Sequence, residues 1–158
     1  MRAEPVEAPS DKLRAHKRPA RSGKRVPTPA EGDQMHHEVT AADTAAAVGS
    51  GDVPVLATPQ LIAWMEAATV RAAAAFLATG QTTVGTSIRI DHRRATGIGG
   101  SVEITATPQS GAASRRLTFD VQAIDGSGQV VAAGQIDRVI VDRQRFLASV
   151  SAADAGQR

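Results

Sequence analysis

Three residues whose side chains can carry acid–base chemistry stand in the middle of the chain. They are Thr58, Glu66 eight positions later, and His92 twenty-six positions after that. A carboxyl group and an imidazole can transfer protons near neutral pH, and a hydroxyl can hydrogen-bond to either. Whether the three can serve one site depends on the elements that carry them.

Glu66 is the only acidic residue between Asp52 and Asp91. On a helix, its neighbours three and four positions away are apolar or neutral, so no local ion pair would support it. A carboxylate in such surroundings should have a raised pKa and should destabilise the fold unless it has a task or a remote partner. The alternative is that Glu66 sits at a helix edge and reaches water.

Residues 58–78 form the clearest predicted helix. Thr58 is a good N-cap, Pro59 suits the first helical position, and Gly80 ends the segment. The remaining positions are mostly apolar, which predicts a buried helix. The apolar stripe with 3.6-residue spacing consists of Leu61, Met65, Ala68, Ala72 and Phe76.

Thr58 has two interpretations. Capping alone would explain a threonine here, but a helix N-terminus also offers free N–H groups and a positive dipole end to a developing oxyanion. Glu66 lies about 12 Å farther along the axis, because each residue rises about 1.5 Å. The two side chains are therefore not expected to touch within one subunit.

Four strand-like runs follow the helix, and a short one precedes it. Glycines separate the runs, and Asp125-Gly126-Ser127-Gly128 is typical of a hairpin turn. No helix-sized segment lies between the later runs, so neighbouring strands should pair antiparallel. The predicted class is α+β, a hotdog fold in which an antiparallel sheet of about five strands wraps around one long central helix. The predicted strands are 36–40, 83–92, 100–109, 114–124 and 129–142.

Alternation within 84–92 predicts which way these side chains point. His92 should share the helix-facing side with Val84, Thr86, Ile88 and Ile90, while Gly85 and Asp91 should face the other way. His92 is then either a site residue or a core histidine bonded to backbone. Gly85 marks a bulge or a close backbone approach.

Arg138 shares a strand face with Ile136 and Ile140, which is an unusual place for a cation. It should either extend to solvent or meet a phosphate or a carboxylate. Two other sequence patterns give no indication of a binding site. His36-His37 lacks companion ligands at useful spacing, so no metal site is expected. The glycines at 97–100 indicate a turn, since neither a helix nor a P-loop lysine follows them.

Composition excludes several classes of function. The chain has no cysteine, which rules out disulfides, thiolate nucleophiles and thiolate metal sites. No run is long and apolar enough to span a membrane, and no apolar stretch follows the first basic residues as in a signal peptide. A cytoplasmic location is therefore expected.

The basic character of the chain is concentrated in its first part. Residues 1–34 contain eight Lys and Arg against five Asp and Glu, whereas residues 35–158 contain ten against eleven. We expect 1–34 to be a disordered Pro/Ala-rich tail, 35–148 to be the folded domain and 149–158 to be flexible. Nucleic-acid binding is expected only through the tail, if at all. Met35, where the ordered part begins, is an alternative start.

Three stretches together resemble the fluoroacetyl-CoA thioesterase-like family of hotdog enzymes. They are VLATPQLIAWMEAA at 55–68, VGTSIRIDH at 84–92 and GQIDRVIVD at 134–142. Thr58, Glu66 and His92 keep the family's spacing of threonine, glutamate and histidine. Gly85 falls where the family has a glycine behind the thioester carbonyl, and Arg138 falls near an arginine beside the cleft.

The resemblance implies hydrolysis of a small acyl-CoA by a homodimer with active sites at the subunit interface. Glu66 would be general base or nucleophile, His92 would orient or shuttle the proton, and Thr58 would hydrogen-bond to Glu66 or the substrate. Coenzyme A would enter as part of the substrate, with no other cofactor. The family's lid before the threonine is rich in aromatic residues, whereas 45–57 has none, so a general small acyl-CoA is expected rather than one specifically fluorinated.

Two other functions stay open from the sequence. One is hydration of an enoyl-CoA by a hotdog hydratase, which pairs Asp and His closely. Asp91 and His92 are adjacent, but alternation sends their side chains to opposite faces. The other is a non-catalytic module that binds acyl-CoA or CoA.

Overall fold

The computed structural model describes residues 34–109 and 115–155. Five strands and a long helix form the domain, and two shorter helices flank it. The strands are β1 (Met35–Glu38), β2 (Gln81–His92), β3 (Ser101–Pro108), β4 (Arg116–Asp125) and β5 (Val130–Asp142). The helices are α1 (Ala45–Val48), α2 (Thr58–Ala73) and α3 (Arg143–Ala155), with single 3₁₀ turns at Ala41–Asp43 and Ala74–Phe76.

The five strands form one antiparallel sheet in the order β1-β3-β4-β5-β2. Helix α2 packs against this sheet, and the core lies between them. From the helix, Leu61 and Met65 are fully buried, and Phe119 and Ile136 meet them from the sheet. The predicted α+β hotdog arrangement and its five strands are confirmed.

The turn between β4 and β5 shows how the sequence fixes local structure. The Asp125 carboxylate accepts hydrogen bonds from the backbone N–H groups of Ser127 and Gln129, both at 2.9 Å. Gly128 adopts φ +78°, a conformation that a residue with a side chain rarely adopts. The predicted hairpin is therefore confirmed.

The beginning of α2 differs from the prediction. The N-cap is Ala57, with φ −68° and ψ 137°, and no side chain caps the helix. Thr58 is the first helical residue, so its predicted capping role was wrong. Because Pro59 has no N–H group, the first turn of the helix has one N–H fewer that needs a capping partner. The helix also ends earlier than predicted, at Ala73, and tightens into a 3₁₀ turn before Gly80, which has φ +82°.

A bulge in β2 changes which of its side chains face the helix. Gly85 pairs with Arg138 and Ser87 with the adjacent Asp137, so Thr86 is an extra residue in the ladder. Gly85 therefore faces α2, and its predicted outward orientation was wrong. The alternation holds after the bulge, and the predicted inward orientation of His92 is confirmed by its contact with α2.

Residues 149–155 are helical, although a flexible terminus was expected from 149 onward. They continue α3, which starts where the Asp142 carboxylate accepts a hydrogen bond from the backbone N–H of Arg145 at 2.9 Å. The expectations for 1–33 and 156–158 lie outside the described residues. Within the described part of the chain, no helix is both long and apolar enough to cross a membrane.

Candidate active site

Thr58 and His92 meet directly, although they are 34 positions apart in the chain. The Thr58 hydroxyl lies 2.9 Å from His92 Nδ1, at hydrogen-bonding distance. Thr58 stands at the first turn of α2 and His92 is the last residue of β2, so the contact ties the start of the helix to the end of a strand. Because Ala57 takes the N-cap position, the Thr58 hydroxyl is available for the imidazole.

The other nitrogen of this imidazole has a different environment. His92 Nε2 is buried and has no hydrogen-bond partner among the described residues. Buried polar atoms are normally satisfied, so one without a partner needs an explanation. If Thr58 donates to Nδ1, Nε2 carries the proton; if Nδ1 donates to Thr58, Nε2 is the basic nitrogen.

The Thr58–His92 pair lines a cleft of about 300 Å³. One wall comes from residues that precede α2, and the other from residues that follow β2. Two backbone links hold these walls together, a hydrogen bond from Leu56 N to Thr96 O at 2.8 Å and a bridge between Val55 and Gly97. The cleft is lined by Ala45, Ser50, Gly51, Val53, Val55, Leu56, Thr58, His92, Arg93, Arg94 and Ala95.

Glu66 belongs to a second cluster, in the middle of α2. Its Oε1 lies 3.4 Å from Nη1 of Arg138, and its side chain is 36% exposed. A remote partner, one of the predicted alternatives, is therefore present, and it comes from β5, 72 positions away.

Arg138, on β5, is held by contacts to two other elements, α2 and β2. Its side chain is 7% exposed, and it donates from Nε to Thr83 Oγ1 at 2.9 Å and from Nη2 to the Thr83 carbonyl at 3.2 Å. Nη1 also reaches Thr69 Oγ1 at 3.4 Å. Burial lowers the pKa of Arg138, and the charge of Glu66 opposes that shift. The guanidinium was predicted either to extend to solvent or to meet a phosphate or a carboxylate, and it contacts the Glu66 carboxylate.

Gly85 provides space for the Glu66 carboxylate. A Cβ at position 85 would lie 2.6 Å from Glu66 Oε1 and 3.7 Å from Arg138 Nη1. Glycine is therefore required if the carboxylate is to keep this position. Gly85, Glu66 and Arg138 together are called the carboxylate cluster below.

The structure thus brings the five predicted site residues into two groups. One is the Thr58–His92 pair, and the other is the carboxylate cluster. Both lie along α2, at its first residue and two turns farther on, about 12 Å apart by axial rise. Asp91 takes part in neither, since its side chain is 80% exposed and pairs with Arg93.

The sequence analysis overlooked the two threonines that support Arg138. Thr69 is fully buried and Thr83 is 9% exposed. Thr83 stands two residues before Gly85 and therefore shares its strand face. Because the bulge that turns this face toward the helix was not predicted, Thr83 was overlooked. A buried hydroxyl on an apolar helix, as at Thr69, could have indicated a polar partner across the core.

His37 and Trp64 form a separate aromatic contact. Their rings stack with centroids 4.3 Å apart and planes 5° apart. Burial chiefly lowers the pKa of His37, with a further lowering from His36 and an opposing effect of Asp43. Within the described ranges, no group of three or more His, Asp and Glu could hold a metal ion.

Sequence comparisons agree with this architecture. The family model described as fluoroacetyl-CoA-specific thioesterase matches residues 39–144. The fluoroacetyl-CoA thioesterase of Streptantibioticus cattleyicolor is 36% identical over 96 residues, which are 61% of this chain and 68% of that protein.

Structural comparisons extend the match. A mutant of the fluoroacetyl-CoA-specific thioesterase, solved in complex with fluoroacetate and CoA, superposes with a TM-score of 0.70 at 29% identity over 76% of this chain and 97% of that one. A thioesterase superfamily member from Thermus thermophilus gives a TM-score of 0.72 at 22% identity over 78% and 90%, a likeness of fold. The chain belongs to the fluoroacetyl-CoA-specific thioesterase family, among the acyl-CoA thioesterases of hotdog fold.

Proposed function

We propose that the protein hydrolyses a small acyl-CoA thioester to the free acid and CoA, with Glu66, His92 and Thr58 as the working residues. The observation that carries this proposal is the hydrogen bond between Thr58 and His92 in a cleft, which leaves the buried His92 Nε2 without a partner among the described residues. In hydrolysis, water adds to the thioester carbonyl, the carbon–sulfur bond breaks and the sulfur takes up a proton.

Glu66 acts as general base or as nucleophile. As a base, its carboxylate removes a proton from the attacking water; as a nucleophile, it forms an acyl–carboxylate anhydride that water then hydrolyses. Arg138 orients the carboxylate through the 3.4 Å contact. Gly85 leaves the space beside Oε1.

His92 moves the proton that the reaction must deliver to the thiolate leaving group. Its Nε2 is the atom available for this step, and Thr58 fixes the ring through Nδ1. The first turn of α2 also presents the positive end of the helix dipole, which favours negative charge on the thioester oxygen in the transition state.

We further propose that the active protein is a homodimer whose site combines the two groups from different copies. Within one copy, the axial rise of α2 keeps Glu66 about 12 Å from Thr58. A second copy packed against the same cleft would bring its own carboxylate cluster toward the Thr58–His92 pair. The family resemblance supports this arrangement.

The walls of the cleft favour a small acyl group and do not select for a fluorine substituent. Val53, Val55 and Leu56 line it, and among the described residues no Phe, Tyr or Trp does. Val53 is 49% exposed, so the apolar wall is open and not enclosed. Short unbranched acyl groups are therefore the expected substrates, fluorinated or not.

The first experiment measures thiol release from a panel of short and aromatic acyl-CoAs. Glu66→Gln should lower turnover by about two orders of magnitude or more while the fold is kept, because the neutral amide cannot accept the proton. Glu38→Gln, an exposed position on β1, is the matched control and should behave as wild type. No turnover on any thioester, together with measurable CoA binding, would refute hydrolysis and favour a binding module.

A second experiment tests the shared site by mixing two inactive variants, Glu66→Gln and His92→Ala. If one site takes Glu66 from one copy and His92 from the other, each mixed dimer has one site with both residues intact, and mixing restores activity. If the residues act within one copy, every site lacks one of them and mixing restores nothing. The second result would overturn the two-copy site and leave the hydrolase proposal intact.

Formation of hydroxyacyl-CoA from an enoyl-CoA would identify a hydratase instead. The structure gives this reaction little support, since the Asp91 side chain is 80% exposed and pairs with Arg93, whereas His92 contacts Thr58.

A further inference from the structure

Two consecutive arginines follow His92 and line the same cleft. Arg93 and Arg94 come directly after the end of β2, and both are exposed. Neither takes part in the chemistry proposed above. Their position beside the proposed reacting group calls for a function of its own.

The backbone fixes where the two arginines stand. The N–H groups of Arg93 and Arg94 both donate to the carbonyl of Val131, at 2.8 and 3.2 Å. Two residues farther on, the Thr96 carbonyl accepts the hydrogen bond from Leu56 that joins the two walls. The guanidinium groups therefore extend from an anchored segment at the rim of the cleft, and Arg93 also borders the outer face of the sheet.

The electrostatics of the cleft are one-sided. Among the described residues, the charged side chains that line the cleft are those of Arg93 and Arg94. His92 is the other titratable residue there, and no acid lines the cleft. Two carboxylates lie near the arginines outside the cleft. Asp91 is 3.5 Å from Arg93, but the pair is 80% and 58% exposed, so it holds Arg93 only weakly.

The other nearby carboxylate already has partners. Hydrogen bonds from Ser127 and Gln129 chiefly hold the pKa of Asp125 below its usual range, and the charge of Arg94 adds a minor contribution. Arg138, the remaining candidate cation, donates to Thr83, Thr69 and Glu66 and is buried. Among the described residues, the exposed arginine pair is thus the part of this cleft that can bind an incoming anion.

We propose that Arg93 and Arg94 bind the phosphate groups of the CoA moiety while the acyl end reaches the Thr58–His92 pair. This inference rests on the proposed thioesterase function. The pantetheine arm separates the thioester from the phosphates, so the phosphates would bind away from the reacting atoms, where exposed cations can reach them. Planar guanidinium groups bind phosphate oxygens with paired, charge-assisted hydrogen bonds.

The test compares two carriers of one acyl group, acetyl-CoA and acetyl-pantetheine, which lacks the nucleotide phosphates. The double variant Arg93→Ala/Arg94→Ala should raise KM for acetyl-CoA about tenfold or more, as expected for lost charge-assisted contacts. Its kinetics on acetyl-pantetheine should stay those of wild type. Arg93→Lys/Arg94→Lys should recover part of the lost affinity, because the charge remains while the fork geometry is lost.

The control is Arg143→Ala, which removes one arginine charge at the opposite end of the β2–β5 ladder. Arg143 follows Asp142, which pairs with Gln81, whereas His92 pairs with Ala132. It should leave both carriers unaffected. Added salt should raise the wild-type KM for acetyl-CoA and should change that of the double alanine variant much less.

Three results would overturn the proposal. Equal losses on acetyl-CoA and acetyl-pantetheine would place the arginines at the reacting end, and no loss on either would leave them without this role. A loss restricted to succinyl thioesters, on both carriers, would assign them to an acyl carboxylate.

Direct titration of CoA separates this proposal from the hydrolase proposal. If no thioester is hydrolysed but CoA binds wild type and binds the double alanine variant about tenfold more weakly, the phosphate site stands and the thioesterase function fails. If thioesters are hydrolysed and CoA binds both proteins equally, the phosphate site fails alone.

Discussion

The two groups of site residues differ in how they are built into the fold. The Thr58–His92 pair consists of one hydrogen bond at the edge of a cleft, with an exposed threonine. In the carboxylate cluster, the nearly buried Arg138 is held by Thr69, Thr83 and Glu66. Side chains that bond only to each other can change without disturbing the core, whereas a buried cation with several partners cannot. The first group should therefore affect activity alone, and the second both activity and stability.

The largest effect is expected from Arg138→Met. Removing the guanidinium leaves the Thr83 and Thr69 hydroxyls and the Glu66 carboxylate without their cation, so stability should fall by roughly 2–4 kcal/mol. Urea unfolding measures the change. In a Glu66→Gln background the loss should be smaller, since no carboxylate is then left unpaired. Equal losses in both backgrounds would show that the ion pair adds nothing.

Gly85→Ala should come next, with an effect on catalysis that exceeds its effect on stability. The new Cβ would push against Glu66 Oε1, the end of a flexible side chain, so the fold can adjust. Misplacing the carboxylate by about 1 Å should lower turnover by about 10²-fold. Gly97→Ala is the control, because a Cβ there meets nothing within 4 Å. Unchanged turnover in Gly85→Ala would remove Glu66 from the chemistry.

Thr58→Val separates a catalytic hydroxyl from a capping one. The structure assigns the N-cap to Ala57, so stability should change by less than about 0.5 kcal/mol. The lost hydrogen bond to His92 should lower kcat/KM by about tenfold, and Thr58→Ser should restore it. Thermal unfolding and thiol release measure the two effects. A stability loss of about 1 kcal/mol or more would indicate capping after all.

The smallest effect concerns His37, remote from both groups in the sequence and stacked on Trp64. Burial lowers its pKa in the folded protein, so the unfolded chain binds the proton more tightly. Stability should therefore decrease as the pH falls below about 6.5, the ordinary histidine value, toward the lowered one. His37→Phe keeps a stacked ring and should flatten this part of the stability profile. An unchanged profile would exclude His37 as its source.

The elements were largely predictable because their signals are local. The apolar stripe of α2, the turn at Asp125–Gly128 and the strand-like runs each depend on residues within one short segment. The candidates Thr58, Glu66 and His92 were recognisable by type and spacing. Their partners were not, because the contacts join residues 34 and 72 positions apart.

The sequence by itself determined the order of elements, the buried helix and the set of polar residues that needed an explanation. Only the tertiary structure decided that Arg138 meets Glu66, that Thr58 meets His92 and that Gly85 faces the helix. The physical reason lies in β2. One extra residue at Thr86 shifts the register with β5, and because strand side chains alternate with a period of two, that residue changes which side chains face the site.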